Sequence, residues 1–188
     1  VRLPLIPPAD LTPQQQPLYE DMKTGIGSSF GGFQSIAEDG SLMGPWNPWI
    51  HEPVIGGAIW DLTKAMTDQA SLPDPVRQIA ILVVGARYKA AYEIYAHIAM
   101  AEKDGMTAER LSTLVAGARP NDLTAEEGCA YDVAFALSGG GVLPEPCYAR
   151  ALALFGQHAT NELIYLVGLY ALVSVTLNGF NVPTPERE

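Results

Sequence analysis

Glu93 and His97 stand one α-helical turn apart in the sequence, so a helix through them sets both side chains on one face. A carboxylate beside an imidazole orients the ring, favours its protonated form and makes it a proton donor or acceptor near neutral pH. On an open surface the same pair would only add a few tenths of a kcal/mol to helix stability. Its neighbours argue for more. Tyr88, Tyr92 and Tyr95 crowd the segment, and the stretch before it, Ile79 to Val84, is almost wholly apolar. Those surroundings desolvate the pair, and desolvated acid–base pairs are over-represented at functional sites.

A second group of candidates lies upstream in Gly44-Pro45-Trp46-Asn47-Pro48-Trp49-Ile50-His51. Trp46 and Trp49 on a long loop beside an acid–base pair suit a lid over a small, flat or conjugated ligand; sealing a core or an interface would use the same residues. His51 is a further substrate contact on that loop. Cys129 and Cys147 form neither a CxxC pair nor a zinc-ligand pattern, so they read as packing thiols and no metal site is expected. His158 carries no chemistry and packs near a helix start, capped by Thr160 or Asn161.

The elements that must position these residues read as helices. Apolar residues recur at three and four positions from Pro53 onward, and no useful stretch alternates with period two, so the fold class is all-α. Thr12 and Pro13 start a short helix ending near Gly25, and the Gly- and Pro-rich chain from Gly25 to Pro53 is a long connection. Asp74 caps a helix that Pro75 begins, a second helix runs from Ala90 to Lys103 and stops at Gly105, and Thr107 caps a third. Thr124 and Glu127 form a capping box, the run Gly139-Gly140-Gly141 ends that helix, and two more follow over Pro144 to Phe155 and Glu162 to Asn178.

The 188 residues suit one domain, with residues 1–53 as extension and lid-like loop and 54–188 as helical core. A net charge of -10 repels phosphate backbones and anionic membranes, which argues against nucleic-acid binding. At 48% hydrophobic and 17% charged, the chain has more apolar surface than one protomer hides, and self-association is expected. The uncharged run Leu163 to Phe180 approaches bilayer-spanning length, but its polar residues and the lack of flanking Lys or Arg favour a buried helix. No export signal is visible, so a cytoplasmic protein without a membrane partner is expected.

The run Asp74-Pro75-Val76-Arg77-Gln78, the apolar Ile79 to Val84, then Tyr92-Glu93-Ile94-Tyr95-Ala96-His97 with Ala101 and Gly105 resembles the core of the carboxymuconolactone decarboxylase family, which includes the alkylhydroperoxidase D proteins. The resemblance implies an alkylhydroperoxidase D-like helical domain, commonly a trimer or hexamer. In the peroxidase branch a redox-active CxxC falls at Ala90 and Glu93, and a relay glutamate falls at Gln78. With both thiols absent, no thiol peroxidase activity carries over. The decarboxylase branch has a glutamate one turn before the histidine, matching Glu93 and His97, and works without metal or organic cofactor.

The resemblance therefore implies a cofactor-independent lyase acting on a small carboxylated lactone or related carbonyl acid, with His97 protonating and Glu93 setting its state. In a chain of net charge -10 a carboxylate substrate would need a local positive patch from Arg77, with Arg87 or Lys89 as further candidates; Gln78 would orient the substrate, Tyr92 would contact it, and Trp46, Trp49 and His51 resemble a segment that covers the pocket in longer members. Two other readings use the same residues: a non-catalytic oligomer that binds a small ligand, and a hydrolase or isomerase built on the same pair.

Overall fold

The computed structural model describes residues 2–185 and is all-α, with a single isolated antiparallel bridge, Ile36 to Leu42, among the described residues. After a 3-10 turn at Pro8–Asp10 come α1 (Gln16–Ser29), α2 (Trp46–His51), α3 (Pro53–Asp68), α4 (Asp74–Tyr88), α5 (Ala91–Lys103), α6 (Ala108–Val115), α7 (Ala125–Ser138) and α8 (Glu145–Phe180).

Helix boundaries follow local chemistry in most places. Thr107 Oγ1 accepts from Arg110 N–H at the start of α6, and the capping box of Thr124 and Glu127 opens α7. Gly105, with φ of 89°, takes the left-handed position just after α5. Three expectations are corrected. Thr12 does not begin α1; its N–H and Oγ1 bind the Gln15 side chain in a preceding turn, and the helix starts at Gln16 and runs past Gly25 to Ser29. Asp74 lies inside the first turn of α4, and the capping position belongs to Pro73. The two C-terminal helices meet without a loop. Gly156, at φ 73° and ψ 177°, is the only non-helical residue inside α8, and Thr160 Oγ1 returns a hydrogen bond to its carbonyl instead of capping a new helix.

Two buried clusters organise the helices. One holds the apolar run of α4 (Ile79 to Val84) against Val133 and Ala134 of α7 and Leu163, Leu166 and Val167 of α8. The other is built largely from the N-terminal third: Tyr19, Met22 and Ile26 of α1, Trp46 and Trp49 of α2 and Trp60 of α3 pack on Tyr92 and Ala96 of α5 and Leu169, Val173 and Leu177 of α8. The N-terminal third thus supplies most of the second cluster as well as covering α5. Gly44 makes that covering close: at φ 59°, a Cβ there would lie 2.3 Å from the Tyr92 ring.

α8 is long and apolar enough to cross a membrane by length and composition. Here it contributes buried residues to both clusters, while its Tyr165, Leu172, Val175 and Phe180 are exposed.

Candidate active site

The site lies where α4, α5 and α8 meet the N-terminal cover. α5 supplies Tyr92, Glu93 and His97, all buried. α4 approaches α5 at Gly85, where an added Cβ would sit 3.2 Å from Glu93 Cγ. Burying two titratable side chains on one helix face is costly unless each is paired or neutral, and their contacts show which applies.

His97 Nδ1 donates to Gln78 Oε1 at 2.8 Å, which leaves the lone pair on Nε2. Nε2 lies 3.5 Å from Glu93 Oε1, longer than a hydrogen bond, so the bonded Glu–His pair expected from the spacing is replaced by a near contact. Glu93 Oε1 is buried and has no hydrogen-bond partner. The Tyr170 ring of α8 stands edge-on to the imidazole at 5.0 Å.

The protonation states follow from burial. It raises the Glu93 carboxyl well above its ordinary range. Burial, with the nearby Arg77 charge adding to it, lowers His97 from 6.5 to about 3. Burial thus drives both groups toward their neutral forms, a carboxylic acid facing a neutral imidazole, against the carboxylate–imidazolium pair expected from proximity. Burial also raises the Tyr92 and Tyr170 phenols, so both stay neutral.

Glu93 and His97 border a small cavity of about 40 Å3 walled by aromatic rings, including Phe30, Phe33, Trp46, Trp49, Tyr92 and Tyr170, with no Lys or Arg in the wall. Trp46 and Trp49 are both core and wall. Each is 4% exposed, and neither indole N–H has an acceptor. The Tyr92 hydroxyl donates to the Gln34 carbonyl, tying α5 to the N-terminal cover.

Three expected contacts sit differently. His51 is outside the cavity wall, its Nε2 lying 2.9 Å from the Pro4 carbonyl oxygen, so it secures the N-terminal segment. Arg77 lies on the far side of His97, its guanidinium ion-paired with Glu162 and donating to the Met66 carbonyl. Gln78 Oε1 is taken by the imidazole and orients His97, while the residue borders a separate polar cavity beyond it. Sequence reasoning missed Phe30, Phe33 and Tyr170. The run Phe30-Gly31-Gly32-Phe33 was a usable signal, since aromatic residues around a flexible glycine pair suit a movable wall; Tyr170 was hidden in the apolar pattern of α8.

Cys129 lies in the core beside α4 with its thiol raised chiefly by burial, and neither cysteine borders the cavity. Among the described residues no group of three His, Cys, Asp or Glu could hold a metal ion.

The α3–α7 stretch that carries this geometry matches a known profile. Residues 53–136 match the carboxymuconolactone decarboxylase family. No curated protein matches the chain. Solved structures extend the likeness beyond that stretch. The debrominase Bmp8, as a cysteine-to-alanine variant in complex with 2,3,4-tribromopyrrole, aligns with a TM-score of 0.72 at 13% identity, covering 98% of this chain and 92% of that one. A protein of unknown function from Agrobacterium tumefaciens, provisionally assigned to AhpD-type antioxidant defence, aligns at 0.67 and 13% identity, covering 75% of this chain and 97% of its own. At such identity these structures establish a shared fold. The chain has Ala90 and Glu93 where the peroxidase branch it resembles has its thiols, so that cysteine pair is absent from this position.

Proposed function

We propose that the protein is an acid–base lyase of the decarboxylase type that needs no organic cofactor. A neutral Glu93 supplies the proton, and His97 positions it. The observation that carries this reading is the buried, unpartnered Glu93 Oε1 opposite the free Nε2 lone pair of His97, beside an aromatic cavity.

The chemistry suits those parts. When a keto acid or carboxylated lactone loses CO2, the bond to the carboxyl carbon breaks and its electron pair passes into the conjugated carbonyl. Charge held on a carboxylate becomes spread over an enolate. An aromatic wall without a cation disfavours the compact charge more than the dispersed one, which lowers the barrier. A neutral Glu93 does not repel the incoming anion as a carboxylate would, and it has a proton to give to the enolate carbon. The imidazole lone pair, 3.5 Å from Glu93 Oε1, is the acceptor that aligns the O–H once the two side chains close to hydrogen-bond distance, and Glu93 regains its proton from water when product leaves. These roles reverse the ones implied by the family resemblance, in which His97 protonates.

The test is CO2 release from a panel of small β-keto and vinylogous keto acids. The wild-type protein should exceed the uncatalysed rate for at least one of them. His97→Ala should lower that turnover by about 10²-fold, the usual contribution of such groups, while leaving helix content unchanged. Release by the variant at the wild-type rate would contradict the proposal. Absence of release from the whole panel would also contradict it, and would favour a ligand-binding role for the same scaffold.

A further inference from the structure

We infer that Phe30 is a gate between two halves of one substrate site, and that the half beyond it takes the uncharged, polar body of a small monocarboxylic acid. That the reacting group is an acid rests on the decarboxylase reading above; the gate does not.

Volume is the first observation. A water needs about 10–15 Å3 and benzene fills a cavity of about 150 Å3. The aromatic cavity, at about 40 Å3, therefore accommodates a group of carboxyl size and not a whole substrate. Directly beyond it lies a polar cavity of about 250 Å3, bordered by Thr67, Arg77, Gln78 and Lys103. Phe30, His97 and Tyr170 line both and form the partition.

Of those three, Phe30 is the one least held, by ring contacts with Trp46 and Trp60 alone. His97 is buried and bonded to Gln78, and Tyr170 sits within α8. Phe30 is half-buried just past the end of α1, and is followed by Gly31 and Gly32, the latter at φ 100°. It also borders a third cavity of about 130 Å3 beside Trp60, Thr63 and Thr67, which offers its ring somewhere to turn. Turning it joins the carboxyl-sized chamber to the polar one, with the His97 ring at the junction.

Charge selects what fills the polar half. Lys103 and Arg77 share its wall with Asp74 and Asp104, and Arg77 is already ion-paired with Glu162. A second carboxylate would find no net positive charge there, whereas hydroxyl, carbonyl or amide groups would find donors and acceptors.

The experiment is a titration of intrinsic tryptophan fluorescence, with calorimetry in parallel, using the stable keto acid 4-oxopentanoate, its dicarboxylate counterpart 2-oxoglutarate, and benzoate. Wild type should bind 4-oxopentanoate at least about tenfold more tightly than 2-oxoglutarate, and Asp104→Asn should narrow that gap. Phe30→Trp, which fills the gate, should weaken 4-oxopentanoate binding about tenfold or more. Phe30→Ala, which leaves the gate open, should bind benzoate about tenfold more tightly than wild type, because the closed state no longer competes. Circular dichroism checks each fold, and if Phe30→Trp does not fold, the benzoate comparison decides. Equal benzoate binding by wild type and Phe30→Ala overturns the gate. Equal or tighter binding of 2-oxoglutarate overturns the substrate class, and absence of 4-oxopentanoate binding by both wild type and Phe30→Ala overturns the site. None of these titrations needs turnover, so gating without CO2 release would remove only the proposed reaction, and CO2 release with insensitive Phe30 variants would remove only the gate.

Discussion

Glu93→Gln is expected to cut turnover by about 10²-fold or more and, at the same time, to raise the melting temperature at neutral pH. The amide keeps the shape of the protonated acid but has no acidic proton to give. The gain in stability follows from linkage. The Glu93 carboxyl is raised in the folded protein above its ordinary 4.5, so its contribution is fully present below pH 4.5 and is lost as pH rises toward the folded value. Glutamine does not ionise, so the variant escapes that loss. The two melting curves should coincide near pH 4.5 and separate as pH rises, and each kcal/mol of difference moves the midpoint by about 2–4 °C in a domain of this size. His97 acts with the opposite sign. Its folded value of about 3 lies below the ordinary 6.5, so stability falls as pH drops from 6.5 toward 3. Between pH 4.5 and 6.5 the two slopes oppose each other, and the contribution of the pair to wild-type stability should be flattest there. A melting difference between wild type and Glu93→Gln that does not change with pH would contradict the neutral acid.

The second large effect concerns Arg77. Glu162 is buried, which alone would raise its carboxyl. The Ser71 hydroxyl at 2.6 Å, the Ser71 and Leu72 N–H groups at 2.7 and 3.1 Å, and the Arg77 guanidinium outweigh burial and hold it below its ordinary value. This arrangement pins the α3–α4 connection to α8 behind the polar cavity. Arg77→Ala removes the only cation paired with Glu162 among the described residues and leaves a buried carboxylate, a change that typically costs about 3–5 kcal/mol. Thermal unfolding should show a fall of roughly 10 °C or more. A loss below about 1 kcal/mol would mean that the pair is as solvated as a surface bridge and does not anchor the connection.

How much of this was legible in the sequence depends on which forces placed each residue. Helix spacing is local, so Glu93 and His97 could be put on one face of α5, and capping is local, so Thr107 and the Thr124–Glu127 box were readable. The protonation of the pair was not. It is decided by burial from elements remote in sequence, Trp46 and Trp49 on one side and Tyr170 on the other, and burial reversed the charge state that proximity alone suggests. Gln78 read as a residue that touches substrate because only the fold shows its amide already given to His97. Arg77 was legible as a cation near the site, but not as one committed to Glu162 across the core. His51 shared a segment with the two tryptophans and was expected to share their role, yet the α2 helix separates them, sending the indoles into the core and the imidazole to the Pro4 carbonyl.

The chemistry proposed for the Glu93–His97 pair depends on where one proton sits. Nitrogen-15 NMR of histidine-labelled protein, with His97 assigned through its Ala substitution, reports that directly. The expected result is a neutral ring protonated at Nδ1, with Nε2 carrying a lone pair, unchanged from pH 8 down to pH 5 because the folded value is about 3. A doubly protonated imidazolium at neutral pH, or a ring protonated at Nε2, would contradict it: the first would make Glu93 a carboxylate with no proton to give, and the second would leave its O–H without the acceptor that aligns it.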